Sequence, residues 1–260
     1  MRSELEPING HSIPVIGLGT MKLEGKECEN TVRKAIKIGY RHIDTAVIYE
    51  NESAVGNAIK GFEREKLFIT TKVWKDMLEF GDFKQSVEKS LKKLGTSYID
   101  LLLIHRPNPD IPLKESAKAM NQLIKEEKVR NIGVSNFNLS QLKNIQDLTE
   151  HPIITNQVKY HVGMDHSKLL EYCQENSLLL TAYSPLARGK LVEKEILQNL
   201  GEKYEKTPGQ IALKWLIQQE NVITVPRATS KAHMQENLLL FNWKLEKKDM
   251  SKLSSINIDT

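Results

Sequence analysis

Short hydrophobic segments recur along the chain, separated by longer stretches of mixed polarity. They lie at residues 15–18, 42–44, 68–73, 99–105, 131–135, 153–157, 178–183 and 222–226. Brief apolar runs bounded by polar, glycine and proline residues are typical of strands that are buried on both faces. The pattern therefore predicts eight buried strands.

The stretches between these segments carry the periodicity of amphipathic helices. In residues 82–94 the apolar positions follow helical spacing, at Phe83, Val87, Leu91 and Leu94. Gly39 and Gly95 are expected to end two helices. Asp82 and Asp165 are predicted N-caps, and Pro208 fits the first turn of a helix over residues 210–218. Strands thus alternate with helices along the chain.

This alternation predicts an α/β fold, a (β/α)₈ TIM barrel that forms a single domain over residues 1–260. No Ser/Gly-rich linker or low-complexity run divides the chain. Asn9-Gly10, between residues 5–8 and 11–13, is a two-residue turn signal. We therefore expect an N-terminal β-hairpin that closes the bottom of the barrel.

A doubly wound sheet is the competing arrangement. Gly17 and Gly19 follow the first predicted strand and could begin the GxGxxG fingerprint of dinucleotide-binding folds. Lys22 stands where the third glycine belongs, and no helix is predicted to begin there. The P-loop, HExxH and GxSxG motifs are also absent from the sequence. The glycine pattern therefore argues against this competitor as a dinucleotide binder.

Composition and charge exclude several classes of partner. The chain is 40% hydrophobic, and its net charge of +4 comes from 37 basic and 33 acidic residues that are scattered along it. Such mixing indicates solvated helix faces rather than a stripe that binds nucleic acid. The sequence shows neither a signal peptide nor an apolar run approaching the roughly 20 residues that span a bilayer. We expect a cytoplasmic protein that contacts neither nucleic acid nor membrane.

The cysteines predict neither a metal site nor a disulfide framework. Cys28 and Cys173 are far apart in the sequence, and neither belongs to a CxxC motif. Two reduced, buried thiols are the expected state. The seven histidines also form no cluster with acidic residues of the kind that binds a catalytic metal. A metal-dependent barrel hydrolase is therefore disfavoured, and no bound metal is predicted.

Four polar residues stand at or just beyond predicted strand ends: Asp44, Tyr49, Lys72 and His105. Parallel strands of a barrel all end on the same rim, so these side chains are expected to converge there. Taken singly, each has an ordinary explanation as a loop contact, a solvated lysine or a hydrogen-bonded histidine. Their joint placement is what predicts a site that handles protons.

The chemistry of this group suits the protonation of an oxygen. Tyr49 can donate a proton to a developing alkoxide, but its reference pKa is roughly 10, and lowering it by about two units requires about 2.7 kcal/mol. The ammonium of Lys72 can supply such stabilisation, and Asp44 can keep that ammonium charged and aimed. His105 can hydrogen-bond the same oxygen and orient a carbonyl group.

Three longer motifs resemble signatures of the aldo-keto reductase superfamily. The first is Gly39-Tyr40-Arg41-His42-Ile43-Asp44-Thr45-Ala46 followed by Tyr49-Glu50-Asn51-Glu52 and Val55-Gly56; the others cover residues 94–105 and 225–229. The overall pattern is most similar to small bacterial members such as the 2,5-diketo-gluconate reductases. This resemblance implies that Asp44, Tyr49, Lys72 and His105 are a catalytic tetrad. It also implies NADPH-dependent reduction of small aldehydes and ketones, including dicarbonyls and keto-sugar acids.

The resemblance also implies a set of cofactor-binding residues: Gly19, Thr20, Met21, Ser135, Asn136, Gln157, Tyr183, Ser184, Leu186, Arg227, Thr229, His233, Glu236 and Asn237. Amide and hydroxyl groups at residues 135, 136 and 157 suit a nicotinamide carboxamide, which both donates and accepts hydrogen bonds. An aromatic ring at 183 can stack on the nicotinamide. The loop 184–189 resembles one that folds over the pyrophosphate. Arg227 and His233 match the 2′-phosphate site, and residues 236–237 match the adenine end.

Three departures from the family pattern shape the expected substrate. Arg106 replaces an aromatic residue and puts charge in one wall of the pocket, whose other wall is expected at Trp74. Ala228 removes a hydroxyl from the phosphate site, and the chain ends at residues 257–260, where a loop over the pocket would begin. These features predict an open site with loose selectivity and a preference for carboxylated or vicinal dicarbonyl compounds.

A non-catalytic NADPH sensor or regulatory subunit is the main alternative function. Such a protein needs the fold but has no need of all four tetrad residues. We therefore expect a monomeric, NADPH-dependent carbonyl reductase whose partner is a small-molecule carbonyl substrate.

Overall fold

The computed structural model describes residues 4–5 and 12–256, and within these ranges the chain forms a closed (β/α)₈ barrel. An antiparallel pair, β1 (Glu4–Leu5) and β2 (Ile13–Pro14), precedes it. The barrel strands are β3 (Gly17–Gly19), β4 (His42–Asp44), β5 (Phe68–Val73), β6 (Ile99–Ile104), β7 (Val129–Ser135), β8 (Ile153–Lys159), β9 (Leu179–Tyr183) and β10 (Val222–Thr224). Neighbouring strands are parallel, and a parallel bridge between Ile16 and Thr224 closes the ring.

Helices surround the barrel and connect its strands. They are α1 (Gly25–Ile38), α2 (Glu52–Ile59), α3 (Phe80–Leu94), α4 (Leu113–Lys125), α5 (Leu139–Leu148), α6 (Ser167–Glu175), α7 (Glu195–Tyr204), α8 (Pro208–Ile217), α9 (Lys231–Leu238) and α10 (Lys247–Ser255). The apolar stripe predicted on α3 is buried as expected, because Phe83, Val87, Leu91 and Leu94 all face the core. Each such side chain contributes about 1.5–3 kcal/mol when fully buried.

The predicted strands are confirmed, with shifts at some ends. The first was expected at residues 15–18 but pairs with β4 from Gly17 to Gly19, because its hydrogen-bonding register begins opposite His42. The last was expected to reach Pro226 but ends at Thr224; a proline has no N–H to extend the ladder. The predicted N-terminal antiparallel pair is present, whereas its Asn9-Gly10 turn lies outside the described residues. Residues 257–260, expected to end near the pocket, also lie outside them.

Two predicted helix caps are wrong. Helix α3 begins at Phe80, whose ring packs against the core, so Asp82 lies in the first turn and Glu79 is the N-cap. Asp165 lies one residue before the N-cap of α6, and its carboxylate accepts a hydrogen bond from the Ser167 N–H at 2.9 Å. Gly39, Gly95 and Pro208 hold their predicted terminal positions.

The helices described by the structure include none with the length and apolar character needed to cross a membrane.

Candidate active site

A buried ion pair lies at the carboxyl ends of β4 and β5. Lys72 is 0% exposed, and its Nζ donates to Asp44 Oδ1 at 2.6 Å and to the Thr45 carbonyl at 2.8 Å. Burial acts to lower the pKa of Lys72, but the carboxylate of Asp44 and the phenol of Tyr49 outweigh it and raise that pKa. The lysine is therefore an ammonium ion at neutral pH.

Tyr49 lies beside this ammonium, at the end of a short 3₁₀ turn, Val47–Tyr49. Lys72 Nζ is 5.2 Å from the centroid of its ring, and the His105 ring meets the Tyr49 ring edge-on at 5.7 Å. Burial raises the pKa of Tyr49 more than Lys72 lowers it. The net direction is opposite to the one that we expected from sequence, because the sequence does not show how deeply the phenol is desolvated. A phenol in this state carries the proton that an acid must donate.

His105 directly follows β6 and is neutral. Burial and the nearby Lys72 charge lower the pKa of its imidazole to about 3. Its backbone N–H donates to the Val73 carbonyl at 2.9 Å, and Trp74 packs edge-on against its ring at 5.0 Å. A neutral imidazole keeps one N–H and can donate it to a substrate oxygen.

Three of the residues expected to bind nicotinamide form a connected group beside His105. The Tyr183 hydroxyl donates to Asn136 Oδ1 at 2.8 Å, and Asn136 Nδ2 donates to the His105 carbonyl at 3.0 Å and to Ser135 Oγ at 3.0 Å. Tyr183 ends β9 and Ser135 ends β7, so the barrel brings both to one rim. Through the contact of Asn136 with the His105 carbonyl, this group also helps to position His105.

Gln157 has a contact that the sequence did not predict. It lies two residues before the end of β8, and its Nε2 donates to Asp44 Oδ2 at 2.7 Å. Each carboxylate oxygen of Asp44 thus has its own donor, one from Lys72 and one from Gln157. The alternation of side chains along a strand places Gln157 inside the barrel, where a buried carboxylate needs donors. The need of the buried Asp44 carboxylate for a second donor was the feature from which this contact could have been predicted.

The residues after β3 contribute to the frame of the site. A Cβ at Gly19 would lie 2.6 Å from the Val225 carbonyl oxygen, so only glycine fits there. Thr20 is fully buried, and its Oγ1 donates to the Asp44 carbonyl at 3.0 Å. Met21 is half-buried. The Thr20 hydroxyl therefore links the end of β3 to the end of β4 at this rim.

The loop after β9 has an unusual backbone. Ser184, Ala187 and Arg188 have φ values of 51°, 47° and 58°, which are left-handed. Leu186 is half-buried in this loop. Burial raises the pKa of Tyr183, while the positive charges of Arg106 and Arg188 act against that rise. The exposed guanidinium groups of Arg106 and Arg188 therefore make the electrostatic potential at the entrance of the site more positive.

The residues expected at the phosphate and adenine sites follow β10. Arg227, Thr229 and His233 are exposed, and Glu236 is half-buried. Asn237 differs: it is 7% exposed and lies near the hydroxyl of the buried Tyr40, which donates to the Met234 carbonyl at 3.3 Å. The structure gives no contact that joins these residues to the Asp44–Lys72 pair. They lie in the segment that follows the carboxyl end of β10, and β10 ends on the same rim as β4 and β5.

The donor set at this rim fits a nicotinamide dinucleotide. An amide and a hydroxyl adjoin an aromatic face at Asn136, Ser135 and Tyr183, and an exposed Arg227 can meet a phosphate. The described residues contain no group of three or more His, Cys, Asp or Glu side chains that could hold a metal ion.

Comparison with known proteins agrees with this geometry. The model of the Aldo/keto reductase family matches residues 15–258. The chain belongs to the aldo/keto reductase family. A glyoxal reductase from Bacillus subtilis (strain 168) is 40% identical over 254 residues, which cover 96% of this chain and 91% of the relative.

Solved structures of this family superpose closely on the chain. One assigned to 2,5-diketo-D-gluconic acid reductase B has a TM-score of 0.94 and 39% identity, covering 98% of this chain and 91% of that one. A Bombyx mori aldo-keto reductase in complex with NADP has a TM-score of 0.90 and 32% identity, covering 98% and 92%. The predicted fold and family are thereby confirmed.

Proposed function

We propose that this aldo/keto reductase reduces small aldehydes and ketones to alcohols, with NADPH as the hydride donor and Tyr49 as the proton donor. The observation that carries the proposal is the placement of a protonated phenol between a buried ammonium, Lys72, and a neutral imidazole, His105. Bound NADPH supplies hydride to the carbonyl carbon. The chain's own residues then have to supply the proton and hold the oxygen.

Each residue of the tetrad has a distinct part in this scheme. His105 donates its imidazole N–H to the carbonyl oxygen and orients it. Tyr49 gives its proton to the same oxygen as it becomes an alkoxide, which is a much stronger base than a phenolate. Lys72 then faces the new phenolate with its positive charge, and Asp44 keeps that lysine protonated and in place.

The cofactor is proposed to bind along the same rim. Ser135, Asn136 and Gln157 would hold the carboxamide, and Tyr183 would stack on the nicotinamide ring. The other proposed contacts are Gly19, Thr20 and Met21 after β3, Ser184 and Leu186 after β9, and Arg227, Thr229, His233, Glu236 and Asn237 after β10. The NADP complex of the Bombyx mori relative supports this choice of cofactor.

Tyr49→Phe tests the reaction itself. We expect kcat for a small aldehyde to fall about 10³-fold, because the general acid is lost, while NADPH binding measured by fluorescence quenching stays within about twofold. A protein that only senses NADPH would show the same behaviour in both forms. Equal turnover by Tyr49→Phe and the wild type would exclude the proposed mechanism.

Arg227 is the proposed determinant of the preference for NADPH over NADH. It is exposed, so its fork of donors is free to meet the 2′-phosphate. Arg227→Ala should reduce the ratio of kcat/KM for NADPH to that for NADH about tenfold. A ratio that survives the substitution would remove this assignment.

The substrate class is proposed from the walls of the pocket. Trp74 packs against His105, and Arg106 follows it on the exposed side. An arginine there favours carbonyl compounds that carry a carboxylate or a second carbonyl, including keto-sugar acids, and the similarity to a glyoxal reductase supports dicarbonyls. Arg106→Ala should lower kcat/KM more for a carboxylated aldehyde than for a neutral one of equal size; equal losses would contradict this. That the enzyme works as a cytoplasmic monomer stays a prediction.

A further inference from the structure

The segment that carries Tyr49 is closed at its base by a side-chain hydrogen bond. Thr45 Oγ1 donates to Asn51 Oδ1 at 2.6 Å, and the residues between them form the 3₁₀ turn Val47–Tyr49. Glu50, which follows the turn, has a left-handed φ of 55° and leads the chain back toward its starting point. Tyr49 therefore lies on a loop whose two ends are tied together.

Packing alone does not hold this loop. None of the three residues of the turn is fully buried, and Ile48 is 45% exposed. By contrast, Thr45 is 0% exposed and Asn51 is 2% exposed. The loop is therefore fixed mainly at its base, where the polar contacts lie.

Asn51 also ties this base to the loop after β3. Its Nδ2 donates to the Thr20 carbonyl at 2.9 Å and to the Leu23 carbonyl at 2.9 Å. Two carbonyl oxygens can only accept, which fixes the amide nitrogen on their side and leaves Oδ1 for the Thr45 hydroxyl. One side chain thus joins two loops at the rim of the barrel.

The same frame holds the Asp44–Lys72 pair. The Thr45 carbonyl accepts a hydrogen bond from Lys72 Nζ at 2.8 Å. The Asp44 carbonyl accepts from both the backbone N–H and the hydroxyl of Thr20, each at 3.0 Å. A shift of Thr45 or Thr20 would therefore move the ammonium and the Tyr49 loop relative to one another.

We propose that Asn51, acting through Thr45, is a positioning residue that sets the Tyr49 hydroxyl against Lys72. The inference rests on the proposed role of Tyr49 as proton donor. A displacement of about 1 Å at a reacting group can cost about 10²-fold in rate. Loss of one tie at the base of the loop, with the others intact, should cost about tenfold.

Thr45→Val tests the proposal with little change in volume. It removes the hydroxyl that donates to Asn51 and leaves the Thr45 carbonyl in place for Lys72. We expect the single-turnover rate of NADPH oxidation to fall about tenfold and its solvent deuterium isotope effect to increase, because proton donation becomes slower. NADPH affinity should stay within about twofold. Thr45→Ser, which keeps the hydroxyl, should restore the rate to within about twofold of the wild type.

A matched control separates positioning from stability. Thr155 is another fully buried threonine, and its hydroxyl bonds the Leu179 carbonyl at 3.0 Å near the start of β8. Thr155→Val should lower Tm without changing the rate or the isotope effect of the folded enzyme. Asn51→Asp, which loses both donors to the β3 loop, provides a second variant and should reproduce the slower, more isotope-sensitive step.

The outcomes distinguish this inference from the proposed function. If Tyr49→Phe abolishes turnover but Thr45→Val and Asn51→Asp keep the wild-type rate and isotope effect, the positioning role is wrong and the acid role stands. If Tyr49→Phe turns over normally, the proposed function fails and the positioning role fails with it. A loss in Thr45→Val that only follows the folded fraction, as in Thr155→Val, would also overturn the inference.

Discussion

Two ion pairs of equal length, each with a buried carboxylate, lie at opposite ends of the barrel. At the carboxyl end Lys72 Nζ is 2.6 Å from Asp44 Oδ1, and at the amino end Arg64 Nη2 is 2.6 Å from Asp100 Oδ2. The amino-end pair is surrounded by further partners. Asp100 also accepts from the Ile69 N–H at 2.9 Å and from Arg130 at 3.3 Å.

The amino-end cluster continues through an aromatic ring. The Tyr98 ring contacts two guanidinium groups: its centroid lies 4.1 Å from Arg64 Cζ and 3.6 Å from Arg130 Cζ. Arg64 also donates to the Leu67 and Tyr98 carbonyls and to the Thr96 hydroxyl. All three nitrogens of the Arg64 guanidinium thus donate within the protein.

At the carboxyl end, the ion pair and its neighbouring backbone do not use every N–H of the Lys72 ammonium. A lysine ammonium has three N–H groups, and here two go to Asp44 and the Thr45 carbonyl, which leaves the third for the Tyr49 hydroxyl. The same interaction therefore has two uses: the Arg64–Asp100 pair belongs to a network of contacts that holds strands together, and the Lys72–Asp44 pair keeps an N–H for its neighbour. This division agrees with the general assignment of chemistry to the carboxyl end of a barrel and of stability to the amino end.

The largest expected difference between the two ends is in rate. Lys72→Met should lower the single-turnover rate about 10³-fold, because the Tyr49 phenolate would form without a cation beside it. Stopped-flow NADPH absorbance on the folded fraction measures this. Arg64→Met is the matched control and should leave the rate per folded molecule within about twofold. A similar loss of rate in both variants would show that the two pairs do not differ in function.

A smaller, opposite difference is expected in stability. Arg64→Met leaves the Asp100 carboxylate, which is 4% exposed, without its shortest cationic partner. Removing a charged hydrogen-bond partner of this buried carboxylate should lower the free energy of unfolding by about 2 kcal/mol. Urea denaturation followed by far-UV circular dichroism measures the change. An unchanged free energy would mean that Arg130 alone can hold Asp100.

The effect that is smallest per pH unit concerns acid stability and compares two neutral histidines. Burial lowers the pKa of His42, at the start of β4, to about 4, and burial with the Lys72 charge lowers that of His105 to about 3. Between these values and the unfolded pKa of about 6.5, only the unfolded state binds the proton, so stability should fall as pH falls below 6.5. Each histidine contributes a slope of at most about 1.4 kcal/mol per pH unit.

His105→Asn should remove one of these contributions, seen as a shallower dependence of the urea midpoint on pH between about 4 and 6.5. His42→Asn should do the same from the other end of the barrel. If neither variant flattens the curve, the histidines are not the groups that the unfolded state protonates.

The sequence allowed the fold to be predicted well, because alternating strands and helices have distinct periodicities. The prediction failed at element boundaries that are set by contacts between residues far apart in the sequence. The edge of β3 depends on the register with His42, and the start of α3 depends on the packing of Phe80. Neither tertiary partner can be seen in a window of sequence.

The candidate site shows the same limit. The sequence placed Asp44, Lys72 and His105 on one rim, because strand ends converge, and the structure joins them there. It could not show that Gln157 donates to Asp44, since 113 residues separate the two. It also gave the wrong direction for the pKa of Tyr49, because desolvation depends on the whole surroundings of the ring.

The complete enclosure of Lys72 has a consequence for the durability of the protein. Reactive carbonyl compounds modify lysines by forming Schiff bases, a reaction that needs the lone pair of an unprotonated amine. Lys72 is 0% exposed, and its raised pKa keeps that lone pair occupied by a proton. The site can therefore place an ammonium group next to an aldehyde without forming a Schiff base with the compound that it is proposed to consume.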